Sequence, residues 1–158
     1  MTDTLTKDQR SAHMAKIRSC DTGPEMLVRK MVYGLGYRYR LHARELPGCP
    51  DLVFRRGRRA IFVHGCFWHQ HSKASCRGAR MPKSRARYWK VKLERNRQRD
   101  SENRKRLAGS GWSVLELWEC ELRDRARLEQ KISRFLSKAS PSRNVPVGEI
   151  RTAVDDVP

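Results

Sequence analysis

Residues 50–64 read PDLVFRRGRRAIFVH. Two apolar runs, Asp51-Leu52-Val53-Phe54 and Ala60-Ile61-Phe62-Val63, flank the turn Arg55-Arg56-Gly57-Arg58-Arg59. Short runs of β-branched and aromatic residues around a Gly-containing turn predict an antiparallel hairpin. Asp51 then opens one strand and His64 closes the next, so both fall at the same end of the pair.

Toward the N-terminus, Tyr37, Tyr39, Leu41 and Ala43 alternate with polar residues and read as another strand. Before it, a helix is expected from about Pro24. Thr22 is its N-cap, Glu25 completes a capping box, and Leu27, Met31 and Leu35 form the buried stripe. Gly34 and Gly36 stop it. A first basic helix runs from Thr6 to about Ser19. Toward the C-terminus, the stretch from Gly65 to Ser84 is irregular and rich in Cys, His and aromatics. Arg85 to Leu107 is a long basic helix that puts Trp89, Leu93, Asn96 and Asp100 on one face. Trp112 to Trp118 reads as a strand, and Leu122, Leu128, Ile132 and Phe135 mark a last helix. Helices around a small mixed sheet make the fold class α/β. Residues 1–140 are expected to form one domain, with 1–20 as its N-terminal helix, and 141–158 a flexible tail.

The charge narrows the partner. The chain has 35 Lys+Arg against 17 Asp+Glu, a net charge of +18 over 158 residues. Such a surface favours a polyanion, because neutralising phosphates releases condensed counterions. No segment approaches the ~20 apolar residues of a spanning helix. Met1 to Cys20 lacks the apolar core of a signal peptide. The expectation is a cytoplasmic, nucleoid-associated monomer with no membrane role. In a reducing compartment, cysteines are free thiols, metal ligands or catalytic groups.

Three constellations carry chemistry. Cys66, His71 and Cys76, with Cys120 far downstream, supply the soft ligands of a tetrahedral Zn²⁺ site. His69 competes with His71 for that role, Cys49 is a substitute ligand, and Cys20 is a weaker one. Pro50-Asp51 at the head of the hairpin forms a hard-cation site, with the Asp51 carboxylate and the Val63 carbonyl as protein ligands of Mg²⁺. The competing reading is a turn aspartate capping its own loop. Phe67-Trp68-His69 sits between proposed zinc ligands, and Trp89 lies on the basic helix. Rings among Lys and Arg suit stacking on bases or wedging between them, against the plain alternative of core packing. His69 is also a candidate general base.

The run His64-Gly65-Cys66-Phe67-Trp68-His69 with His71, preceded by Pro50-Asp51 and followed by Trp118-Glu119-Cys120, strongly resembles the very-short-patch-repair (Vsr) DNA mismatch endonucleases. The similarity spans roughly Arg10 to Arg125 and includes Met14, Glu25, Tyr88-Trp89, Asn96, Arg99-Asp100 and Gly111-Trp112. The resemblance implies a restriction-endonuclease-like fold, with a central mixed sheet between helices. Asp51 matches the metal-binding aspartate and His69 the catalytic histidine. His64 takes a position where relatives of this fold carry a lysine, and Glu25 matches an acid that reaches the metal-bound water. Cys66, His71, Cys76 and Cys120 match the structural zinc ligands. Phe67, Trp68 and Trp89 match rings inserted beside the mismatch, and Met14 a residue that enters the opposite groove. Asn96 and Asp100 match polar positions near the substrate, and Lys92 lies on the same DNA-binding helix. One departure is the loop Ser72 to Ser75, which places Cys76 later than the family's third zinc ligand.

The activity so implied is Mg²⁺-dependent nicking of one strand of double-stranded DNA, 5′ to the thymine of a T:G mismatch left by deaminated 5-methylcytosine. Mismatch-repair proteins and a cytosine-5 methyltransferase are the implied partners. Two other classes compete: a restriction enzyme of the same fold cutting matched duplex, and a non-catalytic zinc DNA-binding module.

Overall fold

A computed structural model of the chain describes residues 20–72, 76–83 and 85–137. The expected first helix with Met14, and the tail from Pro141, lie outside the described residues.

Helix α1 spans Gly23–Gly34. Thr22 caps it: its hydroxyl accepts the Glu25 N–H at 3.4 Å, and proline occupies the first turn, where its missing N–H costs nothing. The buried face differs from the expected stripe. Val28 and Val32 are fully buried, while Leu27, Met31 and Leu35 only pack against the core's edge. The helix turns its valines, with Glu25 and Arg29, toward the protein interior, so the four-residue repeat of larger residues flanks the contact.

The hairpin forms as read, from β2 (Leu52–Phe54) and β3 (Arg59–His64), antiparallel with Leu52 opposite Ile61. The strand expected over 37–43 contracts to β1 (Arg40–Leu41), paired to β2. His42 takes a positive φ of 45° and ends the pairing. Tyr37 and Tyr39 turn their rings edge-on to Phe54 at 6.4 and 6.3 Å. Beyond β3 come a short helix α2 (Cys66–His69), a 3-10 turn over Arg77–Ala79, and the long helix α3 (Ala86–Gly109). Strand β4 (Ser113–Trp118) then pairs parallel to β3, from Arg59 opposite Ser113 to His64 opposite Trp118. A second 3-10 turn and α4 (Arg125–Ser137) follow. The sheet order is β1-β2-β3-β4, so the fold is a mixed four-stranded sheet flanked by helices.

Strand alternation divides the two faces. Leu52, Ile61 and Leu117 join Val28, Val32, Leu122, Leu128, Ile132 and Leu136 in one core under α1 and α4. Arg59 shares that face, and its guanidinium donates to the Leu136 carbonyl at 2.7 Å. The opposite register positions, Phe62, His64, Glu116 and Trp118, face α3. This face carries the polar groups. No described helix is long and apolar enough to cross a membrane.

Ile61 sits fully buried at the centre of the sheet. Ile61→Ala should cost about 2–5 kcal/mol of unfolding free energy, whereas Val91→Ala on the exposed side of α3 should stay within about 0.5 kcal/mol. Urea unfolding of the two variants measures both values.

Candidate active site and metal cluster

Asp51 is held by backbone on both sides. Its N–H donates to the Ile61 carbonyl at 3.1 Å, and its Oδ2 accepts the Val63 N–H at 2.7 Å. Burial pushes its carboxyl above the ordinary 3.8. The Glu25 charge pushes the same way, while the Val63 N–H and the charges of His64 and His42 pull it down. Gly48, at φ +76°, lets the preceding loop lie against α3: a methyl there would come within 3.0 Å of the Asn103 side chain.

Asp51 opens on a cavity of about 360 Å³ that Val63, His64, His69, Asp100 and Glu116 also line. The imidazoles of His64 and His69 stack with ring centres 4.2 Å apart. Each has its own carboxylate. His69 Nδ1 lies 2.6 Å from Asp100 Oδ2, and His64 Nε2 lies 3.6 Å from Glu116 Oε1. Burial raises the Asp100 carboxyl, but the His69 hydrogen bond and the charges of His69, His64 and Arg99 outweigh it, and the group ends below its usual value. With Asp100 ionised, the His69 hydrogen sits on Nδ1, and Nε2 keeps a lone pair that can accept a proton. Glu116 is likewise held low, first by His64 and, against burial, by Arg104 at 3.0 Å.

Glu25 does not line the cavity. Its Oε2 accepts the Asp21 N–H at 2.9 Å and Arg29 at 3.1 Å, and its Oε1 accepts the Thr22 hydroxyl at 2.9 Å. This is the capping arrangement, extended by a buried arginine.

The structure brings together the four expected soft ligands. The ligand atoms of Cys66, His71, Cys76 and Cys120 all lie within 4.8 Å of one another. Cys120 Sγ is 3.6 Å from His71 Nε2, close to the edge of a tetrahedron with ~2.0–2.3 Å metal bonds. Burial drives the Cys66 thiol up to about 12, helped by hydrogen bonds among the thiols. Cys76 moves down, because the amides of Ala79 and Gly78 and the neighbouring thiols overcome the effect of burial. Three thiols and an imidazole with this spacing fit a tetrahedral soft-metal site. His69, tied to Asp100, is not part of the group. Cys49 sits in the loop before Asp51 at φ +50°, and Cys20 is exposed.

The rings gather beside this cluster. Phe67, Trp68 and Trp89 contact one another edge-on at 5.0–6.0 Å, and Tyr88 extends the group outward. The Lys92 ammonium lies 5.5 Å from the Trp68 and Trp89 ring centres. Asn96 donates to the Trp68 carbonyl at 3.1 Å and pins α2 to α3. Sequence reasoning missed Glu116 and Arg104. The available signal was a glutamate between two leucines of a strand, Leu115-Glu116-Leu117, where alternation turns it to the His64 face.

A sequence model of the family described as DNA mismatch endonuclease Vsr matches residues 2–75. The type II nicking enzyme V.XorIIP of Xanthomonas oryzae pv. oryzae is 46% identical over 136 residues, covering 86% of this chain and 98% of that protein. The type II nicking enzyme V.NmeAIP of Neisseria meningitidis is 39% identical and covers 86% of this chain and 95% of its own. DNA mismatch endonuclease Vsr of Escherichia coli K12 is 39% identical over 128 residues, covering 81% of this chain and 80% of that one.

The raised carboxyl of Asp51 has a signed consequence. A folded pKa above the unfolded value means that ionising Asp51 disfavours the metal-free fold. Asp51→Asn should therefore raise the thermal midpoint of the metal-free chain at pH 7. The gain should vanish as pH falls below 3.8, where both states hold the proton. A midpoint lowered at pH 7 would contradict the sign.

Proposed function

Because the chain belongs to the Vsr family of DNA mismatch endonucleases, we propose that it nicks one strand of duplex DNA on the 5′ side of the thymine in a T:G mismatch. The observation that carries this reading is the single cavity shared by Asp51 and the His69–Asp100 pair, beside the Phe67/Trp68/Trp89 cluster. The fold reading that goes with it is restriction-endonuclease-like.

In the hydrolysis, Asp51 and the Val63 carbonyl would hold Mg²⁺, which supplies charge for the phosphate oxygens and lowers the pKa of bound water. His69 Nε2 takes the proton of the attacking water, and Asp100 stabilises the imidazolium that results. His64 stacks on His69 and fixes its plane. Glu25, which caps α1 and holds Arg29, would reach the water on that metal only as the family resemblance implies. Cys66, His71, Cys76 and Cys120 would hold Zn²⁺, which would stiffen the loop that carries Phe67 and Trp68. A stiff loop loses little entropy when its rings enter the base stack. Unstacking a step costs a few kcal/mol, and a mismatched pair resists least. The arginines and lysines of α3 provide sequence-independent grip. The substrate points to a cytoplasmic enzyme working with mismatch-repair proteins.

Three outcomes are expected. Asp51→Ala should abolish nicking of a T:G duplex with its Kd nearly unchanged, and His69→Ala should slow it about 10²–10⁴-fold with metal content retained. Trp68→Ala should lower the T:G rate sharply and leave matched-duplex binding alone. Equal loss of binding on both duplexes would remove the wedge role. One zinc per chain should survive purification, and Cys66→Ser or Cys120→Ser should lose it together with soluble protein. Nicking rates with and without Mg²⁺, duplex titrations at fixed salt, and elemental analysis measure these outcomes. Equal cutting of matched duplex would favour a restriction-type activity.

A further inference from the structure

Two charged side chains line the Asp51 cavity without a part in activating water: Arg104 on α3 and Glu116 on β4. Arg104 Nη1 donates to Glu116 Oε2 at 3.0 Å, and Glu116 Oε1 lies 3.6 Å from His64 Nε2. The two differ in burial. The Glu116 side chain is 24% exposed and that of Arg104 52%. A carboxylate set into the wall thus holds an arginine that stands at the opening.

Stability does not account for this pair. An ion pair so open to water contributes little to folding, and placing Glu116 on a strand between Leu115 and Leu117 costs its carboxylate hydration. Orientation accounts for it better. A guanidinium carries five N–H donors in a planar fork. Among the described residues, Glu116 is the only hydrogen-bond partner of the Arg104 side chain, so most of the fork is left for a ligand. Helix α3, unbroken over Ala86–Gly109, fixes where the side chain starts, and Glu116 fixes the plane in which it ends. The charge of the cavity calls for such a donor. Three carboxylates line it, those of Asp51, Asp100 and Glu116, against two side chains of permanent positive charge, Arg99 and Arg104. A phosphodiester entering there is repelled by the carboxylates unless cations face it. A carboxylate on one edge of a guanidinium leaves the other edge for two phosphate oxygens, a match that suits arginine and not lysine.

We propose that Arg104 is a DNA-phosphate contact of this cavity, with Glu116 as the positioning residue that turns its guanidinium toward the strand being cut. The inference rests on the nicking reading for the identity of that strand; the contact with phosphate does not depend on cleavage.

The test begins with binding alone. Affinity for a T:G duplex is titrated over a range of KCl with no divalent ion present. Each phosphate neutralised contributes about 0.9 to the slope of log K against log salt. Arg104→Gln should lower the slope by about that amount and weaken binding about tenfold at fixed salt. An unchanged slope would overturn the proposal. Methylphosphonate, replacing one phosphate at a time, then places the contact. Neutralising a phosphate at or next to the mapped nick should weaken binding by the native chain and leave Arg104→Gln unaffected. Coupling confined to distant phosphates would remove the contact from this cavity. For Glu116, nicking is measured with kcat and KM normalised to folded protein. Glu116→Leu should keep the salt slope and lower kcat about tenfold, and Glu116→Gln, which still accepts from Arg104, should recover most of the loss. On an Arg104→Gln background, Glu116→Leu should cause no further fall; losses that multiply would end the positioning role. A duplex bound with the expected slopes but never nicked would refute the nicking reading and leave the phosphate contact standing. Nicking beside an unchanged Arg104→Gln slope would refute the contact alone.

Discussion

The parallel pairing of β3 with β4 is the constraint on which the rest depends. Its six-residue register sets His64 opposite Trp118. From there both chains leave the sheet at the same end, one into α2 and the other into the second 3-10 turn. That is how Cys66 and Cys120, far apart in sequence, come into contact, with the Cys120 N–H donating to Cys66 Sγ at 3.4 Å. A shift of one residue would turn Glu116 to the apolar core and Leu117 toward His64. The core, the Cys/His cluster and the cavity around Asp51 therefore share one register.

The polar face of the sheet owes its character to paired opposites. Two imidazoles in van der Waals contact would repel if both were charged, and each is set against a carboxylate of its own. Those carboxylates in turn have arginines, Arg99 at 3.7 Å from Asp100 and Arg104 at 3.0 Å from Glu116. Both arginines come from α3, the helix that also bears much of the basic surface. The arginines paired with the histidines' carboxylates and much of the basic surface thus lie on one rigid element.

The hairpin, the long helix and the last strand were legible because each announces itself locally: an apolar run with a glycine turn, a face of Trp89, Leu93, Asn96 and Asp100, and an alternating segment that follows Gly109 and Gly111. The four soft ligands were legible as a composition that left His69 competing with His71; the resemblance favoured His71, and in the structure His69 turns to Asp100. Helix α1 was read one stripe away from the face that is most deeply buried. Its larger residues, Leu27, Met31 and Leu35, repeat at every fourth position, yet Val28 and Val32 are the fully buried ones, and periodicity alone cannot say which neighbouring stripe is covered. Glu116 and Arg29 were invisible for a related reason. Their partners, His64 and His42, lie on other elements, and nothing in a one-dimensional pattern marks a charge that will be met by another. Roles for individual residues came only as what the family resemblance implies, since no spacing could have assigned them.

Helix α3 runs without a break from the ring cluster at Trp89 to the carboxylate at Asp100. A helix advances ~1.5 Å and turns about 100° per residue. Within those eleven intervening steps, side chains can be exchanged freely so long as Leu93 and Asn96 keep their contacts, but the count cannot change. One residue gained or lost would swing Trp89 about 100° away from Phe67 while Asp100 stayed on His69. The segment can therefore diverge in chemistry and not in length, and the spacing between the ring cluster and the Asp100 carboxylate is inherited as a fixed quantity.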